Sequence, residues 1–288
     1  MWPLSSQEQR FVIPKGCSAH QVARDLQRQG FIFHPWTFLI WVKLSSGKGA
    51  IQPGVYSLSP RWTGRHLFRT LRRGPPATRL TFPEGWTAKQ MAGLLETRGV
   101  TPAAEFLSVV SLRKLEGFLF PDTYFFEQGL SASQVVDLMV KRFHEQEPKE
   151  MLAQAKVLKL SYRQIVTLAS LVEREARAPQ ERALIAGVFY NRLRKHWRLE
   201  SCATVEYALG EWKRHLTYND LDVDSPYNTY RHKGLPPGPI CNPGAAALEA
   251  AAHPQVTDMM FFVADGHGTH RFSKYYQEHM AVQKKGKK

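Results

Sequence analysis

At 288 residues, with 43% hydrophobic and 22% charged residues, the chain is long enough to bury a full core and fits one large domain or two modest ones. A net charge of +14 and a pI near 9.8 predict attraction to polyanions: nucleic acid, an anionic membrane surface or an anionic cell-wall polymer. Cys17, Cys202 and Cys241 are too few and too scattered for a disulfide framework or a zinc site, and no apolar run approaches the roughly 18 residues of a membrane span.

Read in chain order, residues 1–9 lack the pattern of a signal peptide, so the chain taken literally is expected to be soluble. The segment Phe11-Val-Ile-Pro-Lys-Gly-Cys-Ser-Ala-His-Gln-Val-Ala-Arg-Asp-Leu-Gln-Arg-Gln-Gly30 aligns with Leu80-Thr-Phe-Pro-Glu-Gly-Trp-Thr-Ala-Lys-Gln-Met-Ala-Gly-Leu-Leu-Glu-Thr-Arg-Gly99. Each copy predicts a strand, a Pro-x-Gly turn, a Ser or Thr helix cap, an amphipathic helix and a glycine stop. Between them, a helix is expected from His34, a strand around Gly54 to Leu58, and a helix from Thr63 closed by Gly74. The apolar run from Trp36 to Val42 is too short to cross a bilayer.

After Leu112 an aromatic, turn-rich stretch around Phe118 to Phe126 leads into helices from Ser131 to about His196. One of them should begin at Ser161, whose spacing to Gln164 is that of a capping box, and carry an apolar stripe of Ile165, Leu168, Ala169, Val172 and Ala176. At about 100° per residue, Glu173 and Glu175 fall roughly 80° to either side of that stripe, so the two acids are not expected to share a pocket. A carboxylate against apolar surface keeps its proton toward neutral pH, which suits a general acid. The competing reading makes Glu173 a boundary carboxylate paired with Arg177 at i+4. A further helix with Pro179 in its first turn buries Ile185, Val188, Phe189 and Leu193. The proline-rich stretch from Leu199 to Pro243 has the texture of functional loops, and residues 259–272 predict a hairpin on an Asp-Gly turn, with His267 and His270 at its surface.

Six segments stand in order: Leu115-Glu-Gly-Phe-Leu-Phe-Pro-Asp-Thr-Tyr124, Leu168-Ala-Ser-Leu-Val-Glu-Arg-Glu-Ala176, Val188-Phe-Tyr-Asn-Arg-Leu193, Thr204-Val-Glu-Tyr-Ala-Leu-Gly210, Ser225-Pro-Tyr-Asn-Thr-Tyr230 with Gly234 to Gly244, and Phe262-Val-Ala-Asp-Gly266. Together they resemble the endolytic murein transglycosylase, or YceG-like, family over nearly the whole chain. The resemblance implies an α+β protein with a juxtamembrane remnant at 1–9, a small LysM-like αβ module with an internal repeat at 10–112, a helix-rich YceG-like catalytic domain at 113–282 and a basic tail at 283–288. It implies cofactor-free, metal-free cleavage of peptidoglycan glycan strands between N-acetylmuramic acid and N-acetylglucosamine, leaving 1,6-anhydro ends, with peptidoglycan synthases as candidate partners and no specific nucleic acid partner. Glu173 matches the family's catalytic glutamate in its Val-Glu-x-Glu motif, while Glu175 is expected in a supporting or surface role and Arg174 in solvent.

Sugar-binding groups are expected at Tyr227, Asn228, Thr229 and Tyr230, and at Glu200, Ser201 and Thr204, which match the family's Gln-Ser-Asp-Pro-Thr-Val segment. Here the chain departs from the pattern, with Glu200, Cys202 and Ala203 in place of Gln, Asp and Pro. The family is also anchored in the bacterial inner membrane by one amino-terminal helix, with its catalytic part outside the cytoplasm. That helix is not among these residues, so the chain is expected to begin after the anchor. A weakly active or inactive peptidoglycan-binding scaffold of the same fold is the alternative reading.

Overall fold

A computed structural model describes residues 8–14, 16–45, 51–213 and 216–285. Most of the expected juxtamembrane remnant and the last three residues of the basic tail lie outside the described residues. In chain order the elements are β1 (Gln9–Ile13), α1 (Ala19–Arg28), α2 (Pro35–Leu44), β2 (Gly54–Leu58), α3 (Gly64–Arg73), β3 (Ala77–Thr81), α4 (Ala88–Thr97), α5 (Ala103–Leu112), β4 (Thr123–Glu127) and α6 (Ala132–Gln146). They continue with α7 (Met151–Val157), α8 (Tyr162–Glu175), a 3₁₀ turn (Pro179–Glu181), α9 (Arg182–Arg194), α10 (Cys202–Leu209), α11 (Tyr218–Leu221), α12 (Ala245–Ala252), β5 (Phe261–Ala264), β6 (His270–Ser273) and α13 (Tyr276–Lys285). Helices with small two-stranded sheets make this an α+β fold. No described helix is long and apolar enough to cross a membrane.

The chain divides into two compact units, one of Met1–Leu80, Leu95–Pro102 and Thr123–Ser131, the other of Thr81–Leu94, Ala103–Asp122 and Ala132–Lys288. Compactness therefore does not follow a single cut at residue 112. In the first unit β1 and β2 pair antiparallel from Gln9 opposite Leu58 to Ile13 opposite Gly54. The two-residue side-chain period turns Phe11, Ile13, Tyr56 and Leu58 onto one buried face, where Leu26 of α1, Phe38 of α2 and Leu67 and Leu71 of α3 close over them. Ser18 and Gln21 form the capping box that starts α1, and Thr63 accepts the His66 N–H to start α3. The segments from Phe11 and from Leu80 share a local order. Each has a strand, a glycine at positive φ (Gly16, Gly85), a Ser or Thr cap bonded to Gln three residues on (Ser18, Thr87), a helix, and a second positive-φ glycine (Gly30, Gly99). They do not belong to one compact unit, because residues 81–94 pack with the second.

The second unit is organised around α8. Its capping box, Ser161 with Gln164, forms as the spacing requires. Residues 165–172 are all buried, however, so this stretch of α8 has no solvent face, and the helix is packed by α7, α9, α10 and α12. The proline-rich loop crosses this helix. Ser170 Oγ donates to Thr167 O at 2.7 Å and accepts the Ile240 N–H at 3.0 Å, while Cys241 Sγ donates to Ser170 O. Asn242, fully buried, then ties three chain segments together. Its Oδ1 accepts the Gly117 and Leu119 N–H groups at 2.9 Å, and its Nδ2 donates to Trp86 O and Glu116 Oε1 at 3.0 Å. Gly117 has φ 88°, and a Cβ there would lie 2.4 Å from Pro239, so the crossing depends on glycine. The hairpin β5–β6 pairs Phe261 with Ser273 through Ala264 with His270. Its connection starts on Asp265-Gly266 and is five residues long, with Asp265 Oδ1 accepting the His267 and Thr269 N–H groups and both Gly266 and Gly268 at positive φ.

Asn242→Ala should cost at least about 3 kcal/mol in denaturant unfolding, since it leaves several buried donors and acceptors unpaired, each worth roughly 1–3 kcal/mol. Burial pushes the Glu116 carboxyl up to about 7, against the opposing hydrogen bonds from Ala88 N–H and Asn242. The folded state thus holds this proton where the unfolded chain has released it. The stabilising contribution is complete below about pH 4.5 and is lost as pH rises through about 7. Unfolding measured between pH 4 and 8 should therefore show Glu116→Gln with a flatter pH dependence than the parent over that window.

Candidate active site

Helix α8 ends on Glu173, Arg174 and Glu175, and the structure sends the two acids into different surroundings. The Glu173 side chain is only 7% exposed. Its Oε2 accepts the Gly244 N–H at 3.0 Å, at the N-terminus of α12, and its Oε1 lies 3.9 Å from Arg182 Nη2. The expected i+4 partner is therefore replaced by Arg182. Glu84 packs on the other side, so close that a Cβ on Gly244 would meet its carboxylate. Burial, with the neighbouring negative charge of Glu84, holds the Glu173 carboxyl above its ordinary range, while Gly244 N–H, Arg182 and Arg174 oppose the shift. Arg174 is exposed as expected, but its guanidinium lies over the Trp212 ring at 3.6 Å.

Glu175 lines a cavity of about 420 Å³ that Glu173 does not reach. The other walls include Arg192, Glu200, Cys202, Tyr230, His270 and His279. Ser201 Oγ donates to Glu175 Oε1 at 2.5 Å. Burial raises the Glu175 carboxyl, and the Ser201 hydrogen bond and the neighbouring His270 pull it partly back. His270 is not a surface residue. Its side chain is 7% exposed, with Nδ1 2.8 Å from Glu181 Oε2. Arg192 reaches the cavity from α9, donating from Nε to Met260 O and from Nη1 to Leu199 O at 2.7 Å, with Glu200 at 3.5 Å. Glu200 is held at φ 53°, an unusual conformation for a residue with a side chain.

The expected sugar-binding residues separate into two groups. Glu200 and Tyr230 face the cavity beside Glu175. Ser201, Thr204, Asn228 and Thr229 are at most 2% exposed and bond inward. Thr229 Oγ1 accepts the Ser201 N–H at 3.0 Å, Thr204 Oγ1 donates to Ser201 O at 2.7 Å, and Asn228 Nδ2 donates to Leu221 O and Val223 O. These four hold the loops that carry Glu200 and Tyr230, and Ser201 touches the acid itself. Tyr227 packs against Tyr207, with ring centres 4.9 Å apart and planes tilted by 48°, and does not line the cavity. Cys202 Sγ sits 3.1 Å from Tyr230 Oη, so the residue that replaces the family's Asp still bonds across the loop. Among the described residues, no cluster of three or more His, Cys, Asp or Glu is placed to hold a metal ion. The cavity positions of Glu175, Arg192 and His270 were not singled out by the sequence reading.

A profile of the YceG-like family matches residues 11–285. The chain belongs to the YceG-like family. It is 32% identical to the endolytic murein transglycosylase of Bacillus subtilis (strain 168), across 95% of this chain and 83% of that one. Identity to the endolytic murein transglycosylase of Streptococcus pneumoniae serotype 2 is 27%, over 91% of this chain but 56% of the relative's length. A crystal structure of a YceG-like protein from Listeria monocytogenes superposes with a TM-score of 0.65 at 33% identity, covering 96% of this chain and all of that one. The Val-Glu-x-Glu motif of this YceG-like chain contains two acids, and only the second, Glu175, opens onto the cavity that gathers Glu200 and Tyr230.

Proposed function

We propose that the chain is an endolytic peptidoglycan lytic transglycosylase and that Glu175, rather than Glu173, is its acid–base residue. Membership of the YceG-like family supports the activity, and the observation that carries the assignment is the cavity of about 420 Å³ that joins Glu175 to Glu200 and Tyr230. Glu173 accepts the Gly244 N–H, faces Arg182 and serves to seat the N-terminus of α12 against α8.

Ordinary glycosidases use two carboxyl groups, held roughly 5–9.5 Å apart, to serve the leaving oxygen and the sugar carbon or a water. A lytic transglycosylase needs one. The protonated Glu175 gives its proton to the glycosidic oxygen as the C1–O4 bond breaks, which frees the N-acetylglucosamine hydroxyl. The resulting carboxylate takes the proton of the muramyl C6 hydroxyl as that oxygen closes on C1. The proton count balances, and no water is consumed. Burial supplies the first state, because it keeps the acid protonated above the usual carboxylate range. Ser201 supplies the second, because its hydroxyl hydrogen-bonds the carboxylate once it forms.

The finer parts of the reading follow from the same family. The substrate is the nascent glycan strand, and its cleavage terminates elongation near the peptidoglycan synthases. The LysM-like module at 10–112 engages the wall, the catalytic domain at 113–282 works outside the cytoplasm, and a single inner-membrane helix tethers the protein.

Digestion of uncrosslinked glycan should yield 1,6-anhydro-muramyl ends; reducing muramyl ends as the sole product would mean that water is the nucleophile. Glu175→Gln should lower turnover at least ~100-fold with little change in the unfolding transition, whereas Glu173→Gln should stay within about tenfold of the parent. The opposite ranking would return the role to Glu173. Ser201→Ala removes a bond that favours the ionised form of Glu175. The alkaline limb of the pH–rate profile should therefore move to higher pH, with a lower maximal rate.

A further inference from the structure

Helix α2 in the first unit carries a side chain pattern that neither the core nor the catalytic reading uses. Its ten residues, Pro35–Leu44, include no acid, one charge at Lys43 and one hydroxyl at Thr37, which already donates to His34 O at 2.6 Å. Only Phe38 is buried, edge-on to Phe68 of α3. At about 100° per residue, Trp36, Ile40, Lys43 and Leu44 fall within roughly one 100° sector, and Phe38 points to the opposite side. Trp36 is 60% exposed, Ile40 44% and Leu44 67%, and Phe33, just ahead of the helix, is 80% exposed. Phe33 is not a loose end, since Gln27 Nε2 donates to its carbonyl at 3.0 Å. A row of large apolar side chains is thus presented outward by an ordered element, with a lysine among them.

On the α3 side of this row the charge has one sign. Helix α3 packs against α2, and the Arg65 guanidinium lies 5.6 Å from the centre of the α2 Trp41 ring. Arg65, Arg69 and Arg72 share one exposed face of α3, which contains no acidic residue. Bulky apolar groups with a tryptophan at the edge of a basic surface match the interface of an anionic bilayer, where rings and aliphatic chains enter the headgroup boundary and arginines meet phosphate. The pattern fits a glycan strand poorly, because Ile40 and Leu44 offer no flat ring and no hydrogen-bonding group. It also fits a second copy poorly. A helix about 15 Å long presents a few hundred Å² at most, well below the roughly 800 Å² per partner of a stable dimer.

We infer that the Phe33–Trp36–Ile40–Leu44 face of α2, with the arginines of α3, is a docking surface for an anionic phospholipid bilayer. This contact is separate from any membrane-spanning anchor and does not rest on the assignment of Glu175.

The test uses the full chain and vesicles of phosphatidylcholine, with or without about one quarter phosphatidylglycerol. The chain should bind the anionic vesicles well above the neutral ones, and lipids brominated on the acyl chains should quench its tryptophan fluorescence, an effect reduced in Trp36→Phe. Trp36→Ser/Ile40→Ser/Leu44→Ser should lower the partition coefficient at least about tenfold, while leaving the unfolding transition and cleavage of soluble glycan unchanged. Arg65→Gln/Arg69→Gln/Arg72→Gln should erase the preference for anionic vesicles. Undiminished binding by the triple Ser variant would reduce the effect to bulk charge and overturn the inference. So would failure to bind anionic vesicles, or a triple Ser variant that loses glycan affinity or self-association instead. Should that variant fold poorly, quenching of the unaltered chain by brominated lipid decides the matter, and its absence overturns the inference.

Discussion

The second unit depends on the burial of α8 on every side. Eight consecutive residues, Ile165 to Val172, have almost no exposure, a pattern of a core helix and not of a surface helix with one apolar stripe. Such a helix cannot shed a polar group into solvent along its length. Thr167 and Ser170 therefore turn to backbone carbonyls, and Ser170 uses its remaining capacity to accept the N–H of Ile240 in the proline loop. Two carboxyls at the end of this helix meet the same constraint. Each is satisfied by a specific neighbour, Gly244 N–H for Glu173 and Ser201 Oγ for Glu175. Both are pushed toward the neutral form, and the second lines a ligand-sized cavity that the first does not reach.

The loops around α8 are rigid for reasons that can be named. Asn242 satisfies two N–H groups, a carbonyl and a carboxylate from segments more than a hundred residues away in sequence, and the crossing at Gly117 and Pro239 has no room for a side chain. Across the cavity, Ser201, Thr204 and Thr229 form a buried hydroxyl cluster that fixes the loop positions of Glu200 and Tyr230. Buried networks of this kind are costly when one member is missing. Cys202 contacts Tyr230 across the loop, and Ala203 is a packed residue near the start of α10.

Local order was legible in the residues where one short-range rule acts alone. Ser161 with Gln164, Ser18 with Gln21, and Thr63 with the Gly74 stop all mark helix ends where the capping chemistry requires them. The hairpin around Asp265-Gly266 was legible, but not the length of its connection, which depends on Gly268 and the double acceptance by Asp265. The sugar-binding residues were found as a cluster but not by role. Sequence order brings Ser201, Thr204, Asn228 and Thr229 into the right neighbourhood, yet only three-dimensional burial separates the groups that hold the loop from those that face the cavity. His270 illustrates the same limit, since its partner Glu181 lies 89 residues away.

The choice between Glu173 and Glu175 turns on what a helical wheel leaves out. Angular position relative to an apolar stripe ranks exposure only when the rest of the helix surface meets water. Once α8 is enclosed, two acids equally displaced from the stripe are equally eligible for burial, and their fates are set by what packs against each side. Beside Glu173 come Glu84, the start of α12, which supplies a backbone donor, and the start of α9, which supplies Arg182. Around Glu175 come α9, α10 and the β5–β6 hairpin, whose side chains leave a gap. A carboxyl held by a backbone N–H and faced by an arginine is suited to bracing the fold. A carboxyl with a raised proton affinity, a hydroxyl partner and a place in the wall of a cavity is suited to moving a proton to and from a sugar.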